Sequence, residues 1–356
     1  MPDSIPGRLS EDIDEAAANE YSRDEQSQKI IRFLDKLKAE EIFKDGGSKR
    51  QFIECLDFET FKNLLFAVNA VTRNISTTQR AADGDAVYLK GFIESDYPPK
   101  QNDKEELLAR VFNDTKDMNA KGRDLKDIAL LMGASINALH LFNDSNGRTS
   151  RLTYSLLAHE FGDHEEKVDY LKNILGEHGR EVVDINPDIL FINEIDPIIE
   201  DDTRESVNPK PIWLRTWKQN SEIRQSLREK GVTEEDIEFM IEHCQHDRQG
   251  FLALEKYLFT KGELENYVES FDQDKPNRSD INFDKVINEL TLEDVAGIKE
   301  QYWNLKKRRV EILIDMILNP ENYPSREIPN KTAKEFFEEK ILERSNIDIE
   351  VGEQEI

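Results

Sequence analysis

An almost continuously apolar segment, LKDIALLMGASINAL at 125–139, places the strongest constraint on the fold of this 356-residue chain. Small and large apolar residues follow one another without a polar stripe, which is typical of a helix buried on all sides. Apolar residues recur at helical spacing at 61–71 and 152–161. Asn102 or Asp103 is positioned to cap a further helix. We therefore predict an all-α, mostly helical fold with 125–139 as its central helix.

One short segment departs from the helical pattern. Near 75–93 a polar arm leads into Asp83-Gly84 and then into the alternating run at 87–89. Asp-Gly is the strongest short-range signal for a hairpin turn, and the Pro-Pro pair at 98–99 ends the segment. We expect a small β-hairpin there.

The composition changes along the chain and predicts its division into domains. Residues 1–23 and 344–356 are acidic and contain almost no large apolar side chains, so we predict polar tails. A stretch rich in Pro, Asp and Glu at 186–209 is interpreted as a linker. It would join a core at 24–185 to a C-terminal helical domain at 210–343.

Charge and composition exclude several functional classes. The chain has 48 Lys+Arg against 74 Asp+Glu, a formal net charge of −26, which argues against a nucleic-acid or anionic-membrane binder. The basic run KKRR at 306–309 is interpreted as the solvent-exposed face of a helix. No stretch reaches the roughly 18 to 20 apolar residues that span a bilayer, and no signal peptide is recognisable. Only two cysteines, Cys55 and Cys244, are present, so we expect a reducing, cytoplasmic location.

The polar loop HLFNDSNGRTSR at 140–151, between two apolar helices, contains the residues that indicate chemistry. Small and turn-forming residues at 144–147 present successive backbone N–H groups at the start of the next helix, an arrangement that binds phosphate. Arg148 and Arg151 are three positions apart, hence on one helix face, and each offers a planar fork to phosphate oxygens. We therefore predict a site for a polyphosphate.

Two further residues of the loop predict catalysis. Asp144 supplies the carboxylate oxygen that a phosphate-bound Mg²⁺ takes up. His140 is the base of the loop, and an imidazole with a pKa of about 6.5 accepts a proton from a hydroxyl near neutral pH. Plainer interpretations exist, with His140 as a helix-ending residue and Asp144 as an N-cap. Taken together, the loop favours phosphoryl or nucleotidyl transfer.

The loop resembles the signature of the Fic family, HxFx(D/E)(A/G)N(G/K)RxxR, at seven of its eight specified positions. The matching residues are His140, Phe142, Asp144, Asn146, Gly147, Arg148 and Arg151. Ser145 stands where the family has Ala or Gly. The resemblance implies a helical Fic fold over about 61–176, with the hairpin near 75–93 acting as a flap that docks a target protein by strand addition.

The resemblance also implies the activity, which is the transfer of AMP from ATP to a Ser, Thr or Tyr hydroxyl of a target protein. His140 would deprotonate that hydroxyl, Asp144 would hold Mg²⁺ on the nucleotide, and Phe142 would be a core anchor.

The phosphate contacts implied by the resemblance come from the rest of the motif. The backbone around Ser145 and Gly147, with the Asn146 side chain, would cradle the α- and β-phosphates. Arg148 and Arg151 would hold the outer phosphates. The related Doc-type toxins carry Lys in place of Gly147 and phosphorylate their targets, so Gly147 favours AMP transfer. The alternatives are a nucleotide-binding interaction module, or a Fic protein with de-AMPylation or phosphotransfer activity.

Many Fic proteins are inhibited by a helix carrying (S/T)xxxE(G/N), whose Glu pairs with the arginine that corresponds to Arg151. In this chain Glu precedes Gly or Asn only at 265–266 and 321–322, and Lys261 and Ile317 stand four residues before those glutamates. Neither fits the pattern. We therefore expect any restraint to come from a separate inhibitory partner or from the acidic tails.

Overall fold

The computed structural model describes residues 42–72, 99–142, 145–158, 185–203, 217–244, 248–269, 280–281 and 283–341. The predicted tails, the hairpin near 75–93, Asn143 and Asp144 lie outside the described residues. The described part is mostly helical, which confirms the all-α class. None of its helices is both long and apolar enough to cross a membrane.

The chain divides into two compact units, one made of Met1–Glu194 with Val310–Ile356 and the other of Ile195–Arg309. The elements before the division are α1 (Gly46–Cys55), α2 (Phe58–Thr72), α3 (Gln101–Ala120), α4 (Leu125–Leu139), α5 (Asn146–Ala158), a helical turn at Asp188–Leu190 and a π-helical turn at Phe191–Ile195. They are followed by α6 (Asp196–Thr203), α7 (Trp217–Glu229), α8 (Glu234–Phe239), a π-helical turn at Met240–Cys244, α9 (Arg248–Lys261) and α10 (Leu264–Tyr267). The last elements are β1 (Val268–Glu269), β2 (Asp280–Ile281), α11 (Phe283–Glu289), α12 (Leu292–Leu318), a 3-10 turn at Pro320–Asn322 and α13 (333–341). Strands β1 and β2 pair antiparallel.

The helix α4 is the centre of the first unit, as the sequence predicts. It begins at Asp124, whose side chain accepts a hydrogen bond from the backbone N–H of Lys126 (2.8 Å). Every residue from 128 to 136 is buried, and nine consecutive residues occupy every face of a helix. It packs against α3 and α5.

A close contact joins α4 to α5. The Ser150 hydroxyl donates to the Gly133 carbonyl (2.5 Å), and a Cβ on Gly133 would lie only 3.2 Å from the Cβ of Tyr154. The lack of a side chain at Gly133 therefore lets the two backbones approach. Since the 140–145 loop connects these two helices, this contact fixes both of its ends.

The structure differs from the predicted linker at 186–209. Its described part is helical from 188 to 203, and it buries apolar side chains. These are Leu190, Phe191, Ile195 and Ile199. The acidic composition misled the prediction because some of its carboxylates are buried and paired. Glu194, for example, accepts hydrogen bonds from the Ser325 hydroxyl (2.6 Å) and the Arg326 N–H (2.8 Å).

The predicted C-terminal domain at 210–343 also needs correction, because the described residues after 309 belong to the first unit. Arg110 of α3 pairs with Asp315 (2.5 Å), and Lys334 of α13 pairs with Asp127 of α4 (2.7 Å). Helical periodicity predicts which face of a helix is buried but not which partner buries it, so the sequence did not reveal this return of the chain.

The basic run at 306–309 is only partly exposed to solvent, which corrects its interpretation as an exposed helix face. Arg309 is buried and binds both carboxylate oxygens of Asp196, at 2.7 and 2.5 Å. Lys306 is also buried, with its ammonium 4.8 Å from the centre of the Tyr302 ring. The interpretation holds for Arg308, which is exposed. Lys306 and Arg309 are three residues apart and therefore lie on one face of α12, which is buried in the second unit.

A capping box begins α12. The Thr291 backbone N–H donates to the Asp294 carboxylate (2.7 Å), and the Asp294 N–H donates to the Thr291 hydroxyl (3.2 Å). The same carboxylate accepts from Tyr257 (2.8 Å) and Lys261 (2.6 Å) of α9. Partial burial raises the pKa of Asp294, but the bonds from Lys261, Thr291 and Tyr257 outweigh it and hold that pKa well below its ordinary value.

We predict that Gly297→Ala destabilises the second unit by about 1–3 kcal/mol, although alanine is the better helix former. A Cβ at this position would overlap the Tyr257 ring, which its hydrogen bond to Asp294 holds in place. Urea unfolding measures the effect. In a Tyr257→Ala background the same change should be neutral or stabilising, and an equal loss in both backgrounds would contradict the packing argument.

Candidate functional site

The loop that carries the motif starts where α4 ends. His140 is in the left-handed region, with φ 49° and ψ 55°, and its N–H donates to the Asn137 carbonyl (3.1 Å). Its own carbonyl accepts a hydrogen bond from the Lys104 ammonium of α3 (3.1 Å). His140 is half-buried and so remains accessible to solvent. Its position at the helix end agrees with the plainer interpretation and is compatible with the catalytic one.

Phe142 anchors the loop in the core. Its side chain is buried and meets the Phe66 ring of α2 edge to face, with 5.4 Å between the ring centres. This confirms the expectation of a core anchor. Burial of an aromatic ring two residues after His140 limits how far the loop can move.

The Asn146 side chain closes the loop through two hydrogen bonds. The Phe142 N–H donates to Asn146 Oδ1 (2.9 Å), and Asn146 Nδ2 donates back to the Phe142 carbonyl (2.5 Å). These two bonds use one of the two hydrogens on Asn146 Nδ2 and one lone pair of Oδ1. Asn146 therefore shapes the loop, and its second amide hydrogen and its backbone N–H stay candidate phosphate contacts.

Ser145 occupies the position where the family signature has Ala or Gly. Its φ is 64°, in the left-handed region that favours glycine. The Ser145 carbonyl accepts from both the N–H and the hydroxyl of Thr149, each at 2.9 Å, and its hydroxyl accepts from Arg148 Nη2. These bonds offset the cost of the conformation, and the hydroxyl orients Arg148 at the start of α5.

A buried polar contact from α2 supports this turn. Asn69 Nδ2 donates to the Thr149 hydroxyl (3.0 Å), which in turn donates to the Ser145 carbonyl. Sequence reasoning missed Asn69, Thr149 and Lys104. The available signal was weak: each is a polar residue on the apolar face of a helix.

The two arginines lie on the first two turns of α5, as predicted. Arg151 is 3% exposed, and its Nη1 lies 3.3 Å from the place where a Cβ on Gly147 would stand. The guanidinium therefore packs back over Gly147 toward the helix N-terminus. Arg148 is half-buried beside it. The positive end of a helix dipole favours an anion, and the two guanidinium groups add donors at the same place, so this arrangement is suited to binding an anion.

Backbone donors belong to the same site. In the part of the chain that the structure describes, the N–H groups of Asn146 and Gly147 have no acceptor, as is usual in the first turn of a helix. The structure thus brings together Ser145, Gly147, Arg148 and Arg151 at one helix N-terminus.

No group of three or more His, Cys, Asp or Glu that could hold a metal ion occurs among the described residues. Asp144, the predicted Mg²⁺ ligand, lies outside them. A magnesium ion that arrives with a nucleotide needs only one or two protein carboxylates, because phosphate oxygens and water complete its octahedron. Asp144 is the carboxylate that the motif offers for such an ion.

An apolar groove adjoins the loop on the side of α2 and α3, with an empty volume of about 440 Å³ that includes open solvent. Its apolar lining comes from Leu65, Phe66, Leu108, Leu141 and Phe142. Lys62 and Glu105 pair across its rim (2.8 Å), and this hydrogen bond raises the pKa of Lys62.

Comparison with known proteins gives no match. No family model, no curated protein and no solved structure is similar to this chain.

We predict that Thr149→Val destabilises the first unit by about 1–3 kcal/mol, because the Asn69 amide and the Ser145 carbonyl lose their hydroxyl partner in a buried place. Urea unfolding measures it. Thr153→Val is the matched control: it lies one turn later in α5, and its buried hydroxyl has no partner among the described residues. That control should be neutral or stabilising, and equal losses in both variants would contradict the prediction.

Proposed function

We propose that the chain is a Fic-type protein adenylyltransferase that moves AMP from ATP to a Ser, Thr or Tyr hydroxyl of a target protein. The observation that carries the proposal is the anion site at the N-terminus of α5, which directly follows the loop containing His140. A base and a phosphate site on one short, anchored loop are the two parts that nucleotidyl transfer needs from a protein.

The first support is electrostatic. In a chain of net charge −26, two arginines occupy the first two turns of one helix, and their guanidinium groups lie beside its N-terminus. Arg148 and Arg151, together with the backbone N–H groups of Asn146 and Gly147, supply donors enough for a polyphosphate.

The second support is the placement of His140. It ends α4 and is half-buried, at the start of the loop that leads to the first turn of α5. An imidazole nitrogen would take the hydroxyl proton as the oxygen attacks the α-phosphorus. The new bond joins that oxygen to phosphorus, and the bond from the α-phosphorus to the bridging oxygen breaks, with pyrophosphate leaving.

Bound Mg²⁺, held by Asp144 and phosphate oxygens, would offset the negative charge on the leaving pyrophosphate. The chain's own groups orient that leaving group. Arg148 is held by the Ser145 hydroxyl, and Arg151 packs over Gly147, so both forks are positioned before ATP binds. The target would dock along 75–93, outside the described residues.

The geometry around Gly147 favours AMP transfer over phosphotransfer. A Cβ there would lie 3.3 Å from Arg151 Nη1, so a lysine would crowd the guanidinium and add a second positive charge beside it. Glycine leaves Arg151 in place over the first turn, where it can bind the outer phosphates of a nucleotide whose α-phosphate faces the base.

We predict that ATP labelled at the α-phosphate, but not at the γ-phosphate, labels protein when the purified chain is incubated with a cell lysate. His140→Ala should lower this transfer about 10²- to 10⁴-fold, because it removes the base. ATP binding measured by calorimetry is the control and should change by less than about twofold. Labelling from the γ-phosphate would indicate phosphotransfer, and no labelling by the parent would favour an interaction module.

We predict that Arg151→Glu weakens ATP binding at least tenfold, because a guanidinium that donates to phosphate is replaced by a carboxylate that repels it. Calorimetry gives the affinity, and circular dichroism checks that the variant is folded. Arg308→Glu makes the same charge change at an exposed position and should leave binding within twofold of the parent. Arg151→Lys should bind more tightly than Arg151→Glu. Unaltered ATP affinity in a folded Arg151→Glu variant would refute the assignment.

A further inference from the structure

Two buried lysines of the first unit make the same kind of contact, and one of them reaches the candidate base. Lys104 of α3 is 4% exposed, and its ammonium donates to the His140 carbonyl (3.1 Å). Lys49 of α1 is 2% exposed, and its ammonium donates to the Leu157 carbonyl of α5 (3.2 Å). The two contacts differ mainly in their distance from the site.

The Lys104 contact stabilises the end of α4. The last carbonyls of a helix lack intrahelical partners, and the C-terminal end carries the negative pole of the helix dipole. An ammonium group placed there satisfies a carbonyl and favours this end electrostatically. Because Lys104 is buried, its side chain has little freedom to make this bond in another way.

The same contact holds the backbone of His140. A non-glycine residue at φ 49° is strained by about 1 kcal/mol or more, and it keeps this conformation only where its surroundings determine it. Here both neighbouring peptide groups are fixed, since the N–H bonds to Asn137 and the carbonyl bonds to Lys104. The direction in which the imidazole leaves the chain follows from this backbone conformation.

We propose that Lys104 is a positioning residue for the candidate base: its ammonium holds the His140 carbonyl, fixes the left-handed conformation and so directs the imidazole toward the anion site. The inference rests on the proposed function for its catalytic meaning. Without the ammonium, the His140 carbonyl loses its partner and the residue can relax to another backbone conformation, which carries the imidazole away from the reacting hydroxyl.

The test compares Lys104→Met with Lys49→Met. Both substitutions remove a buried ammonium from a helix carbonyl at nearly constant volume, so we expect similar losses of thermal stability. The kcat for transfer from α-labelled ATP should fall at least tenfold in Lys104→Met, with the KM for ATP within twofold of the parent. In Lys49→Met both constants should stay within twofold. Equal losses of kcat in the two variants, or a kcat of Lys104→Met within twofold of the parent, would overturn the proposal.

A second measurement does not depend on activity. The imidazole signal of His140 in a ¹H–¹³C NMR spectrum, assigned by its disappearance in His140→Ala, should shift in Lys104→Met and stay in place in Lys49→Met. An unmoved signal in Lys104→Met would overturn the proposal. A shifted signal in a chain that transfers no label would place the failure in the proposed function and not in the positioning.

Folding of the variants is controlled by a second pair. If either methionine variant is unfolded at the assay temperature, Lys104→Gln and Lys49→Gln replace them, since glutamine keeps a polar end but neither the charge nor the full reach of lysine. The glutamine variants then test the proposal by the same thresholds for kcat, KM and the His140 signal.

Discussion

Burial of α4 on every face leaves only the ends of this helix within reach of solvent. Polar chemistry in this part of the fold is therefore confined to the turns before and after it. The turn after α4 holds His140, and the close contact between Gly133 and Ser150 brings the first turn of α5 next to it. A packing constraint of the apolar core thus places the candidate base close in the chain to the first turns of α5.

Much of this arrangement was predictable from local patterns. The apolar run predicts α4, the anchor Phe142 is buried, and the two arginines lie on the first two turns of α5. The bonds from Asn146 to the Phe142 backbone were not predictable, because an amide next to a glycine can bond to a ligand, to a nearby peptide group or to both. The choice depends on the distance to the Phe142 peptide group, which only the folded loop defines.

The predictions based on composition failed for a different reason. Acidic or basic segments were interpreted as solvent-exposed, yet Glu194, Asp196 and Arg309 are buried. Each has partners far away in the chain: Glu194 bonds to residues after 324, and Asp196 pairs with Arg309. A short segment of sequence does not identify a partner that lies more than a hundred residues away in the chain. The same holds for Lys104, which meets His140 across the space between α3 and α4.

The first unit contains residues that precede the second unit in the chain and residues that follow it. This order affects when the first unit can fold during synthesis. Residues 310–341 supply Asp315 to Arg110, Lys334 to Asp127 and the turn that Glu194 binds. These partners leave the ribosome only after the whole second unit, Ile195–Arg309, has been made. The unit that contains the candidate site therefore cannot complete its packing while translation of the second unit is under way.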